Sequence, residues 1–132
     1  MSVDVQELLA QAYALDAAGD ERAAIKLYDA AYRAGVPASQ RRKFLVGYGS
    51  TLRNVGRSEE AVVVLAQAVA DDPGYPAFVA FLALALADAG HPKAALATML
   101  GCALEAARPG AFDGYERALS EYHQLLLEQS QS

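Results

Sequence analysis

FLVGYGSTLRNVGRSEEAVVVLAQAVADDP, residues 44–73, holds two helical periodicities separated by a single glycine. Phe44, Leu45, Tyr48, Gly49 and Leu52 recur at spacings of three and four, which places them on one helical face. Gly56 ends that face, since glycine tolerates the left-handed backbone that a tight helix C-cap demands. Ser58, Glu59 and Glu60 then read as an N-cap and an acidic first turn. Ala61, Val64, Leu65 and Ala68 carry the buried face of the second helix, and Asp71-Asp72-Pro73-Gly74 closes it and turns the chain. The unit predicted is an antiparallel helix pair.

The same grammar occurs on both sides of it. Upstream, Val5, Leu8, Leu9, Ala12, Tyr13 and Leu15 trace a face that stops at Gly19. Asp20 and Glu21 then place negative charge at the next helix start, where free backbone N–H groups favour it, and Ala24, Leu27, Tyr28 and Ala31 follow. Downstream, Phe78, Val79, Leu82, Ala83 and Leu86 run to Gly90, and Pro92 is pre-set for a first helical turn. Ala95, Leu96, Met99, Cys102 and Ala103 are expected on one side of that last helix. Gly19 lies 37 residues before Gly56 and Gly90 lies 34 after it, so the chain is a helical repeat with a period of about 34 residues. The three-residue excess falls in the loop from Gly35 to Gln40, ahead of a second pair that starts near Ser39. After Pro109-Gly110 one further helix is expected, about Phe112 to Glu128, with Tyr115, Ala118, Leu119, Tyr122, Leu125 and Leu126 on its apolar side. Repeat stacks need an end element over their last apolar face, and this helix has that composition; the tail from Gln129 to Ser132 is expected to fray.

Composition bounds the class of protein. The 132 residues fit one domain with a real core. They are 54 % hydrophobic but only 8 % aromatic, with no tryptophan, which suits helices packed at close range. A net charge of −5 opposes nucleic-acid binding and anionic membrane surfaces. The longest uncharged apolar run, Tyr75 to Ala87, is thirteen residues, short of the roughly 20 that cross a bilayer, and reads as a helix buried on most sides. The one cysteine, Cys102, has no internal partner and no metal-ligand spacing, which fits a reducing cytoplasm. Met1 to Glu7 carries no basic n-region, so no signal peptide is expected.

Laid against the tetratricopeptide motif, the middle repeat matches through Leu45-x2-Tyr48-Gly49-x2-Leu52, Ala61-x3-Leu65, Ala68 and Pro73. The third places Val79, Leu82, Ala83, Leu86, Gly90, Ala95, Met99 and Cys102 there; the first places Leu8, Gln11, Ala12, Leu15, Gly19, Ala24, Tyr28 and Ala31. The proline place departs from the motif in both, with Val36 before Pro37 and Ala107 before Pro109. The chain resembles the tetratricopeptide repeat family over about residues 5–110, and is similar to its short bacterial group 5 in Gly47-Tyr-Gly-Ser-Thr-Leu-Arg, Gly56-Arg-Ser-Glu-Glu-Ala and Ala80-Phe-Leu-Ala-Leu-Ala. The resemblance implies an all-α single domain over residues 1–132. Its architecture would be a right-handed superhelix of three helix pairs, about 5–38, 39–75 and 76–110, plus a C-terminal capping helix over about 111–129. It also implies a bacterial, cytoplasmic interaction module.

The resemblance further implies a concave groove lined by the first helix of each pair. The matching places hold Gln6, Leu9, Ala10, Tyr13, Asp16 and Ala17, then Lys43, Val46, Gly47, Ser50, Arg53 and Asn54, then Ala77, Ala80, Phe81, Leu84, Ala87 and Asp88. Some family members clamp a C-terminal carboxylate with Lys, Asn and Arg; here those places hold Leu9, Tyr13, Gly47, Ala77 and Phe81, so the clamp is absent. The expected partner is a protein or peptide presenting an apolar or amphipathic segment. The candidate residues are Leu9, Tyr13, Val46, Ser50, Asn54, Phe81, Leu84 and Asp88, with Lys43 and Arg53 available for an acidic group. Two alternatives stand beside this one. Either Phe81 and Leu84 are buried within the chain, under the folded-back terminal helix or within a tight superhelix, or the apolar wall pairs with a second copy in a homodimer.

Other features are weaker signals. Arg41-Arg42-Lys43 reads as a solvated helix start in preference to an anion site, and Cys102 as an inert packing residue. His91, in a Gly-His-Pro turn, and His123, on the terminal helix, have no Asp or Cys at metal spacing. No phosphate-binding glycine loop or nucleophile elbow occurs, so neither catalysis nor a cofactor is expected.

Overall fold

The three-and-four spacings become seven α-helices among the described residues: α1 (Val5–Ala17), α2 (Glu21–Ala34), α3 (Arg41–Asn54), α4 (Ser58–Asp71), α5 (Pro76–Asp88), α6 (Pro92–Ala106) and α7 (Glu116–Ser130). A 3-10 turn, Ala38–Gln40, precedes α3 and takes up the three-residue excess. The structure is a computed structural model describing residues 4–131. Met1–Val3, part of the stretch read as lacking a signal peptide, and Ser132, the end of the tail expected to fray, lie outside the described residues.

Each pair turns in the same way. Gly19, Gly56 and Gly90 have φ of 82°, 89° and 89°, a left-handed backbone that costs other residues strain. The next N–H in each case reaches back five residues: Asp20 to Leu15, Arg57 to Leu52 and His91 to Leu86, at 2.9, 2.8 and 2.9 Å. Carbonyls otherwise orphaned at the helix end are thereby satisfied. Asp20 caps α2 by accepting from the Ala23 N–H at 3.2 Å, and Asp4 caps α1 through the N–H groups of Gln6 and Glu7. Ser58, expected as the cap of α4, is instead its first helical residue; Arg57 holds the cap position without a side-chain bond.

α1 packs on α2, α3 on α4 and α5 on α6, and α2–α3, α4–α5 and α3–α5 contacts join the pairs into one superhelical stack. Ala24, Ala61 and Ala95, at matching places of the three repeats, are all buried, a column of small side chains between the packed helices. Around them Tyr28, Phe44, Leu52, Leu65 and Phe78 fill the core. Tyr28 and Phe44 meet edge to face at 5.9 Å, and Phe44 stacks on Tyr48 at 5.4 Å, geometries that add to their burial. Gly49 marks the closest approach, since a Cβ there would lie 2.7 Å from the Leu65 side chain.

The last third departs from expectation in four ways. α7 starts at Glu116, not Phe112, because Gly110, Asp113 and Gly114 all adopt positive φ and successive turns close at Ala111, Asp113 and Tyr115. It runs on through Ser130, where fraying was expected. Its inward side is Leu119, His123, Leu126 and Leu127, all half-buried, while Ala118, Tyr122 and Leu125 face solvent. In α6 the buried residues are Ala95 and Ala97, and Leu96 and Met99 are exposed. The helix turns its smallest side chains inward so that α5 and α7 can pack closely on it.

Candidate functional site

Side chains connect the first helices of the three pairs. On α1, Tyr13 lies half-buried, edge-on to Tyr28 at 6.0 Å, with the Lys43 ammonium from α3 4.3 Å from its ring centre. Gln40 donates to Gln6 at 2.8 Å beside them. Lys43 is exposed, makes no ion pair among the described residues and rests on an aromatic face, an arrangement a desolvating ligand would strengthen. Burial raises the Tyr13 hydroxyl above the ordinary tyrosine range, and its oxygen is buried without a hydrogen-bond partner.

From α3, Arg53 donates to Asp88 of α5 at 3.1 Å. This corrects the expectation that Arg53 is available for a partner's acidic group: its charge is already matched within the chain. Ser50 and Val46 are half-buried one and two turns earlier. Asn54 turns away, donating to Glu21 at 3.4 Å at the start of α2. Leu9 is corrected as well. It is 2 % exposed and belongs to the core, so it cannot meet a ligand.

On α5, Phe81 is half-buried against the core, and Leu84, one turn on, is 41 % exposed. α7 packs on α6. Its His123 and Leu127 line a cavity with Val69, Val79 and Thr98, so the terminal helix does not bury Leu84, as one sequence alternative held.

Several side-chain contacts come from second helices, outside the places expected to line the groove. The Tyr28 hydroxyl of α2 donates to Asp16 of α1 at 2.8 Å. Burial pushes that hydroxyl well above the ordinary range, and the adjoining carboxylate pushes it further. Asp29 accepts from Tyr48 at 2.5 Å and from Arg57 at 2.9 and 3.2 Å, and Arg57 also holds Glu60. Burial alone would raise the Asp29 carboxyl, but the hydrogen bonds from Arg57 and Tyr48 and the charges of Arg57 and Arg33 outweigh it. It lies below the ordinary carboxylate range. The basic triplet is not merely solvated either: Arg41 pairs with Asp71 at 3.2 Å, and Arg42 pairs with Asp72 at 2.7 Å while lying over Tyr75. Cys102 is half-buried, its thiol 3.7 Å from the Pro76 carbonyl.

Among the described residues no group of three or more His, Cys, Asp or Glu could hold a metal ion, and no helix is long and apolar enough to cross a membrane.

Stacked pairs, small-residue columns and a side of first helices that leaves Leu84 and Lys43 accessible define a helical-repeat scaffold for protein interaction. The chain belongs to the tetratricopeptide repeat family: the family model described as Tetratrico peptide repeat matches residues 5–126. A solved structure similar to it is that of PcrH from Pseudomonas aeruginosa, at 19 % identity and a TM-score of 0.61, covering 97 % of this chain and 92 % of that one. At that identity the likeness concerns the fold. No curated protein matches the chain.

Proposed function

We propose that this chain is a non-catalytic binding module whose α1–α3–α5 face takes an amphipathic segment of a partner protein. The observation that carries the reading is the exposure of Leu84 beside Phe81 on α5, with the terminal helix packed elsewhere. An apolar side chain of the segment docks there, and an acidic one reaches Lys43 over the Tyr13 ring. Arg53 and Asp88, paired between these points, form a neutral divider and select against a second strong charge at that place.

The test compares proteins captured from a lysate by wild type and by Leu84→Asp, identified by mass spectrometry. Loss of a specific partner by a variant with unchanged helical content supports the face; equal recovery rejects it.

Self-association is a second reading, favoured by the outer side of α7, where Tyr122 is 61 % exposed and Leu125 is also open. Light scattering after size exclusion decides it: twice the chain mass supports a homodimer, and a concentration-independent monomer excludes it over the range tested.

A further inference from the structure

A cleft between α2 and α4 lies outside the places expected to line the groove. α2 packs on α1 and α3, and α4 packs on α3 and α5. Between the two second helices a cavity of about 350 Å³ remains, lined by Tyr32, Tyr48, Glu59, Glu60, Val63 and Val64. Its materials are unusual for a solvent face. Tyr32 and Val63 are exposed hydrophobic groups, Val63 at 69 %. The Tyr32 ring stands 5.1 Å from Tyr48 and 6.3 Å from Phe44, so an aromatic wall backed by the core faces outward.

Charge at the rim is negative. Arg57 serves two carboxylates at once, Asp29 and Glu60, and Arg33 adds a more distant positive charge near Asp29. Glu59 stands apart from that network, and its one partner among the described residues is His91 of the next pair, at 3.3 Å, an imidazole that is charged only when protonated. An open carboxylate beside an aromatic wall and aliphatic side chains is complementary to a long side chain with an apolar stem and a cationic head.

We infer that this cleft is a second docking site, taking a lysine or arginine side chain of a partner protein, its stem along Tyr32 and Val63 and its cation at Glu59. The site goes beyond the α1–α3–α5 face and does not depend on it, because α2 and α4 carry its rim and that face is built from the first helices. A partner bound through both sides would wrap the edge of the stack, whereas a separate partner would occupy the cleft alone.

The test is a titration of the whole chain followed by backbone amide NMR, with N-acetyl-arginine amide, N-acetyl-lysine amide and the uncharged N-acetyl-norleucine amide as probes. Saturable shifts centred on Tyr32, Glu59 and Val63 are expected for both cationic probes, with norleucine amide at least about fivefold weaker. Glu59→Gln, at an exposed position that leaves the fold intact, should bring the cationic probes down to the norleucine level. Tyr32→Ala should weaken all three. The inference is overturned by the absence of saturable shifts, by equal binding of the norleucine probe, by unchanged binding in Glu59→Gln, or by shifts centred on another acidic residue such as Asp88. Leu84→Asp should leave this titration unaltered, so failure of the cleft and failure of the α1–α3–α5 face are separately visible.

Discussion

Arg53 and Asp88 are joined at 3.1 Å across the second and third pairs, with the Arg53 side chain 24 % exposed and its Nε buried and unpartnered. One charge of the candidate face is therefore matched inside the molecule, and among the described residues the remaining open cation there is Lys43. A pair this exposed contributes about 1 kcal/mol or less, so its role is chiefly to set polarity. Asp88→Asn should lower the unfolding free energy measured in urea by no more than about 1 kcal/mol while strengthening capture of acidic segments. A loss above twice that, without any gain in binding, would show that the pair is structural.

Arg57 holds Asp29 where the carboxylate is only 19 % exposed. Arg57→Met should cost about 1–3 kcal/mol in urea unfolding, because a largely buried carboxylate loses its charged donor. Asp29→Asn, which keeps the shape and an acceptor, should cost less.

The same residue makes a pH prediction. Asp29 has a folded pKa below its unfolded value, so its stabilisation is complete above the ordinary carboxylate pKa of about 3.9 and is lost as pH falls through the folded value. Wild type should lose stability on acidification below about pH 4, with a steeper slope than Asp29→Asn. Parallel slopes in acid urea titrations would count against it. Tyr28 has the reverse sign: its raised pKa makes stability full below about pH 10 and falling above it, and Tyr28→Phe should flatten that alkaline loss.

Gly49→Ala and Gly101→Ala separate two kinds of close contact. At Gly49 a Cβ meets the branched end of Leu65 at 2.7 Å in the packed core, so overpacking of about 1–3 kcal/mol exceeds the helix-propensity gain of about 1 kcal/mol. At Gly101 the obstacle is the tip of the His123 ring at 2.9 Å, and α7 has no buried residue of its own. That substitution should leave the melting temperature nearly unchanged and perturb the amide signals of α7. Comparable destabilisation by both would mean that α7 is held as rigidly as the core.

Removing residues 108–132 should lower stability by about 2–4 kcal/mol, the worth of several half-buried leucines, without unfolding α1–α5. Calorimetry and circular dichroism would check this. Loss of all helical signal would place α7 within the cooperative core.

Repeat number, turn positions and the small-residue column were legible in the residues because each is local. Gly56 needs only its own backbone, and Ala24, Ala61 and Ala95 need only a neighbouring helix at the usual distance. The start of α7 was missed because three positive φ values in Gly110–Gly114 override an apolar spacing that begins at Phe112. Leu9 was placed on the binding face because a motif position states a direction, whereas its burial depends on how closely neighbouring helices approach. Arg53 and Asp88 were both marked, but nothing in a spacing of 35 residues shows that they meet.

The sequence by itself determined the class of architecture, since a 34-residue period of helix pairs with glycine turns leaves few ways to bury its apolar stripes. Tertiary structure alone decided which of those stripes remain open. Packing of α7 on α6 leaves Leu84 accessible, and separation of α2 from α4 leaves a cleft at Tyr32 and Glu59. Helical periodicity fixes the direction of a side chain around its own axis, whereas exposure depends on the distance and angle of the next helix. That distance is set by the packing of the whole stack.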